Sequence, residues 1–117
     1  MEIINKSLLC EVLGIDERLC RIDKLVDNTL FFYTFHNVGE YQNYINIYEL
    51  VHKCKEYLLD EGYYLVVHPF KVELFEKETK DFIRDFHYPI QSKAIPYDIK
   101  RVIEACQWTL DNKDKDE

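Results

Sequence analysis

Glycine is scarce in this chain, with three residues among 117. So few glycines make a phosphate-cradling loop hard to build, and no Gly-rich phosphate loop, nucleophile elbow or H-E-x-x-H motif is present. Long apolar runs are also missing. The longest, "LFFY" and "YYLVV", fall far short of the ~20 residues a membrane-spanning helix needs. Basic charge is in the minority: 15 Lys and Arg stand against 22 Asp and Glu, a net charge of −7. The bases are scattered among acids, Lys71 beside Glu73, Lys77 beside Glu78, Lys80 beside Asp81 and Arg84 beside Asp85, so no basic stripe forms. A phosphate backbone would be repelled, and direct nucleic-acid binding is not expected. The four cysteines, at 10, 20, 54 and 106, include no C-x-x-C pair and no zinc-finger spacing. The opening MEIINKSLLCEVLG carries an acid at position 2 and no basic cluster, so it does not read as a signal peptide. A cytoplasmic protein with no membrane association is expected, its cysteines reduced and buried as small hydrophobes.

Core-forming residues are plentiful. Apolar side chains make up 47% of the chain and aromatics 15%, enough to build a core, while 32% charged residues solvate the surface. The length suits one domain. Residues 5–14 read as a short helix, with Asn5 as its cap and Gly14 just past its end. Leu19 to Val26 and Leu30 to His36 read as a hairpin joined by Asp27-Asn28, two residues that tolerate positive φ. The large apolar groups of "TLFFYTF" suggest a strand covered at least in part on both faces. Asn46 opens a second helix, and Gly62 closes it. Tyr63 to His68, Phe70 to Glu76 and Phe82 to Tyr88 follow as strands, interrupted by Pro69, turned by "KETKD" and ended by Pro89. Pro96 suits the first position of a last helix, with Asp98 near its positive end. That helix runs to about Asp111. The reading is therefore an α+β two-layer sandwich, with a mainly antiparallel sheet of about five strands in the order α-ββ-α-βββ-α. It forms a single domain over 1–112, with a disordered acidic tail over 113–117.

Several of these segments carry a resemblance. The capped helix at 45–57, "EGYYLVV", the two strands after it and the "AIPYDIKRVIEACQWTLDN" helix are similar to small uncharacterised phage and prophage proteins of the phage ABA-sandwich type. The similarity covers 45–112, together with the "LLCEVLGI" start. It implies a fold and a viral or prophage origin. It implies no activity, cofactor or catalytic residue.

The pair His52 and Cys54 looks like chemistry until it is placed on its helix. Residues two apart point to nearly opposite sides of a helix, so the two cannot chelate one ion. Ile47, Leu50, Val51, Cys54 and Leu58 share one face, which puts Cys54 in the core and His52 on the surface. Ile99, Val102, Ile103, Cys106 and Leu110 repeat the pattern, so Cys106 is expected in the core too. His68 and His87, with Asp85 nearby, form the better metal candidate. In a three-strand meander they lie at the same sheet end, roughly 10 Å apart between backbones. No third ligand is specified, His36 belongs to the other hairpin, and no cofactor is implied. What remains is surface aromaticity. Tyr41, Tyr44 and Tyr48 lie close together in sequence. Tyr48 shares a helix flank with His52 and Leu59, and Trp108 sits on the side opposite Cys106. Aromatic side chains of this kind are enriched at interaction hot spots. The expected function is a non-catalytic accessory or interaction protein that binds a protein partner or its own copy. The alternatives are a small metal-dependent hydrolase using His68, Asp85 and His87, and an acidic inhibitor that mimics nucleic acid.

Overall fold

Asn5 starts the first helix, α1 (Lys6–Leu13), by accepting the Ser7 N–H on its side-chain oxygen at 2.7 Å. Gly14, at φ 70°, ends it in the left-handed conformation that a side chain would resist. The computed structural model describes residues 4–69, 71–87 and 97–113, with Tyr97 and Asp98 described by their backbone alone. A 3₁₀ turn, Glu17–Leu19, capped by Asp16, follows. It delays the first strand by one residue and leaves Leu19 exposed. Strands β1 (Cys20–Val26) and β2 (Thr29–His36) pair antiparallel through Asp27 and Asn28, at φ 50° and 66°. Positive φ at both central residues is the signature of the tight hairpin expected there.

The next element differs from expectation. Gly39–Asn46 is a strand, β3, paired with β2 along all eight residues. Its sequence, GEYQNYIN, has little β-propensity, and Ile45 is its one buried side chain. Pairing with the aromatic-rich β2, not local propensity, makes it a strand. Asn46 then caps α2 (Ile47–Asp60), accepting the Tyr48 N–H at 2.9 Å. Glu61 and Gly62 (φ 93°) close it. β4 (Tyr63–Val67), β5 (Lys71–Glu76) and β6 (Phe82–His87) form an antiparallel meander, followed by α3 (Tyr97–Asn112). The proposed roles of Phe70, Tyr88, Pro89, Pro96 and the Asp98 side chain lie outside the described residues, as does the tail from 114 on. Lys113 is described: its ammonium bonds Glu61 at 3.0 Å and Glu11 at 3.4 Å, tying the end of α3 to α2 and α1.

The α+β class holds, with three α-helices and six strands among the described residues. The strands make two three-stranded antiparallel sheets, β1-β2-β3 and β4-β5-β6, in place of one sheet of about five. The order is α-βββ-α-βββ-α. Each sheet is sewn by short local connections, and α2 stands between them in the chain, so neither sheet needs the other's edge to complete its ladder. α2 packs on α3 and β4, α3 on β5 and β6, and α1 touches β1, α2 and α3. Leu8, Leu9, Leu50, Cys54, Leu58, Val72, Leu74, Val102 and Cys106 are fully buried. Among the described residues, no helix is long and apolar enough to cross a membrane.

All four cysteines are free and buried. They fall into two neighbouring pairs. Burial, reinforced by a hydrogen bond with Cys20, pushes the Cys10 thiol up to about 12. A hydrogen bond with Cys54, together with burial, holds the Cys106 thiol far above its ordinary value; its Sγ also donates to the Cys54 carbonyl at 3.6 Å. Thiols held protonated are poor nucleophiles. Native protein at pH 8 should therefore resist iodoacetamide, whereas unfolded protein without reductant should take up four equivalents by mass. Two missing labels would show a disulfide. The same shift sets an alkaline limit. The unfolded chain loses the Cys10 proton near pH 9 and the folded one only near 12, so the stability it contributes below pH 9 is lost as pH rises through that window. Urea midpoints that stay flat from pH 8 to 11 would contradict it.

Candidate interaction surface

In β2, period-two alternation sends Leu30 and Phe32 into the core and Phe31, Tyr33 and Phe35 to the other face. Register fills in the neighbours on that outer face. Lys24 of β1 and Tyr44 of β3 flank Phe31, with the Lys24 ammonium 5.8 Å from the Phe31 ring and the Tyr44 ring 6.3 Å away. Arg21 and Gln42 flank Tyr33. The Arg21 guanidinium sits 4.5 Å from the Tyr33 ring and donates to Glu40 at 2.9 Å. Gln42 reaches the Tyr33 hydroxyl at 3.5 Å. The result is an aromatic sheet face whose cations lie over rings. From its sequence, "TLFFYTF" is expected to be covered at least in part on both sides. The burial falls on the Leu30 and Phe32 side, while the other side stays half-open. Arg21, Lys24 and Gln42 at matching positions were the available signal, but reading it required the register of β3.

The tyrosines expected to lie together are divided by the same alternation. Tyr44, 74% exposed, is on the outer face; Tyr41 is on the opposite one, edge-on to His36 at 5.3 Å. Tyr48, 55% exposed, stands on the first turn of α2. His52 follows one turn later, its Nε2 3.1 Å from Glu56, and Leu59 continues the exposed flank. Cys54 is fully buried, so the structure separates His52 and Cys54 as the helical spacing predicts. Trp108 stands on α3. It is half-buried against the core, lines an open cleft of about 710 Å³ with Ile83 and Tyr63, and has the Arg84 guanidinium 5.6 Å from its ring.

His68, Asp85 and His87 do share one face and one end of the second sheet. Glu73 and Lys71 join them there. His68 Nε2 contacts Glu73, and His87 Nε2 lies 3.3 Å from Asp85. Glu73 and Asp85 are direct cross-strand partners, a like-charge opposition that Lys71 relieves, its ammonium 3.8 Å from one carboxylate and 3.6 Å from the other. The lysine stands where a divalent cation would have to sit, so a metal would need to displace it. Among the described residues, no three His, Cys, Asp or Glu side chains converge as a metal site. Each histidine is instead engaged with its own carboxylate.

The fold and these surfaces define a small α+β protein with two antiparallel sheets, one bearing an open aromatic face. Compared with known proteins, the chain matches no family model, no curated protein and no solved structure.

Proposed function

We propose that this is a non-catalytic interaction protein, of phage or prophage origin, that works by protein contact. The observation that carries the reading is the aromatic surface at and beside β3: Tyr44 with Phe31 and Tyr33 on the sheet, and Tyr48 on the adjoining turn of α2. Rings of this kind provide large contact area at low entropic cost. The resemblance of 45–112 to the phage sandwich group supports the origin. The metal-hydrolase reading draws on His68, Asp85 and His87 sharing a sheet end, but Lys71 between the carboxylates weighs against it. The acids are interleaved with bases rather than ranked like phosphates, which weighs against a nucleic-acid mimic.

The test is affinity capture with the chain as bait in cells of its host. Tyr48→Ala should lower the retained partner by roughly tenfold, while the melting temperature stays within a few degrees, as for a surface change. His68→Ala and His87→Ala should retain the partner in full. Stoichiometric zinc in the purified protein, lost together with activity in those two histidine variants, would replace this reading with the hydrolase. Unfolding of Tyr48→Ala would show that the tyrosine is structural.

A further inference from the structure

The molecule has four sheet edges among the described residues, and three are protected. β1 is broken by a register shift between Ile22 and Lys24 and carries Arg21, Asp23 and Lys24. β4 is only five residues long and packs against α2. β6 has a register shift against β5 and carries Arg84 and Asp85. Short strands, bulges and charges are the devices by which proteins blunt open edges. β3 is neither short nor bulged. It runs for eight residues in unbroken register with β2, and Glu40 is its one charged side chain. Along such a ladder, alternate residues direct their N–H and C=O groups away from the paired strand, so β3 presents a row of donors and acceptors that no backbone group among the described residues is seen to use. No other described strand pairs with it.

We propose that β3 pairs antiparallel with β3 of a second copy of this chain, joining two three-stranded sheets into one of six strands across a two-fold axis. This rests on the interaction reading above and adds self-association to it. Directly opposed residues in an antiparallel pair must point to the same face, so the two partners' residue numbers must sum to an even value. An axis at Asn43 satisfies this. It sets Tyr41 opposite Ile45 of the other copy on the inner face, an aromatic and β-branched pair of the favoured kind. On the outer face it sets Gln42 opposite Tyr44, and Glu40 meets Asn46, so no like charges oppose. The strand is thus complementary to itself. Pairing would also cover Tyr41 and Tyr44 and make the aromatic outer faces continuous across the axis.

The purified chain should sediment as a dimer, at twice 14.2 kDa, at micromolar concentration. The double variant Gln42→Lys/Tyr44→Lys changes two exposed outer-face positions and sets lysines opposite each other twice across the axis. It should weaken self-association by roughly tenfold or more, with the wild-type circular dichroism kept. Asn43→Cys should form an intermolecular disulfide in a glutathione buffer, each thiol losing a proton and the electron pair passing to glutathione disulfide. Val38→Cys, at the exposed turn, should not. A monomeric wild type, a double variant that still dimerises, or cross-linking at Val38→Cys without Asn43→Cys would each overturn the pairing. A monomer that still captures a Tyr48-dependent partner would sink this inference alone. A monomer that captures none would sink the interaction reading as well.

Discussion

Cys54→Asp unfolds the protein at temperatures where the wild type is stable. Cys54 has no exposed surface and sits on the face of α2 that also buries Leu50, Val51 and Leu58. A carboxylate there has no cationic partner on its own helix face, and burying one unpaired costs several kcal/mol. A domain of this size is stable by about 5–15 kcal/mol, so one such group removes much or all of the margin. The sign of the pH effect follows. The buried acid folds more readily when neutral, so its titration is raised in the folded state, and lowering the pH toward 4 should restore part of the lost stability. His52→Ala, two residues away, should leave the urea midpoint nearly unchanged. Its side chain is 73% exposed and its one ion pair is with Glu56 on the same helix, worth about 0.5 kcal/mol or less. Equal losses in the two variants would mean that α2 is rotated about its axis, with Cys54 no longer in the core.

Leu8→Ala should cost about 2–5 kcal/mol, the range for a buried leucine whose cavity is only partly refilled. The effect should also be uneven. Leu8 is fully buried on α1, an eight-residue helix too short to be stable alone. α1 touches β1 on one side and α2 and α3 on the other, while the two sheets share no hydrogen-bonded strand. α1 is therefore one of the few links between the first sheet and the helices over the second. Loosening it should raise amide exchange in β1–β3 before β4–β6, as partial unfolding follows local contact density. Uniform loss of protection across both sheets would show a single cooperative unit not dependent on α1.

Caps, turns and helix faces were legible in the chain because they are local. Asn5 and Asn46 each accept an N–H two residues on, Gly14 and Gly62 take the positive φ that closes a helix, and Asp27-Asn28 make the tight hairpin. The 3.6-residue period alone put Cys54 and Cys106 inside and His52 outside. β3 was not legible. Its residues have weak strand preference, and it exists because β2 offers eight partners in register. Missing it removed a strand from the order, merged two sheets into one and grouped Tyr41 with Tyr44, which alternation places on opposite faces.

What the sequence determined by itself is therefore what depends on a few neighbouring residues: the helices, the ends of the first two, the α+β class, the meander from β4 to β6, and the placing of Cys54 and Cys106 inside and His52 outside. Tertiary structure alone decided what depends on residues far apart in the chain. It gathered Arg21, Phe31, Tyr33 and Tyr44 on one face, paired Cys10 with Cys20 and Cys54 with Cys106, and placed Lys71 between Glu73 and Asp85. Periodicity fixes the direction of a side chain about its own backbone. Which side chain it then meets is set by strand pairing and packing, whose partners no short window of sequence contains.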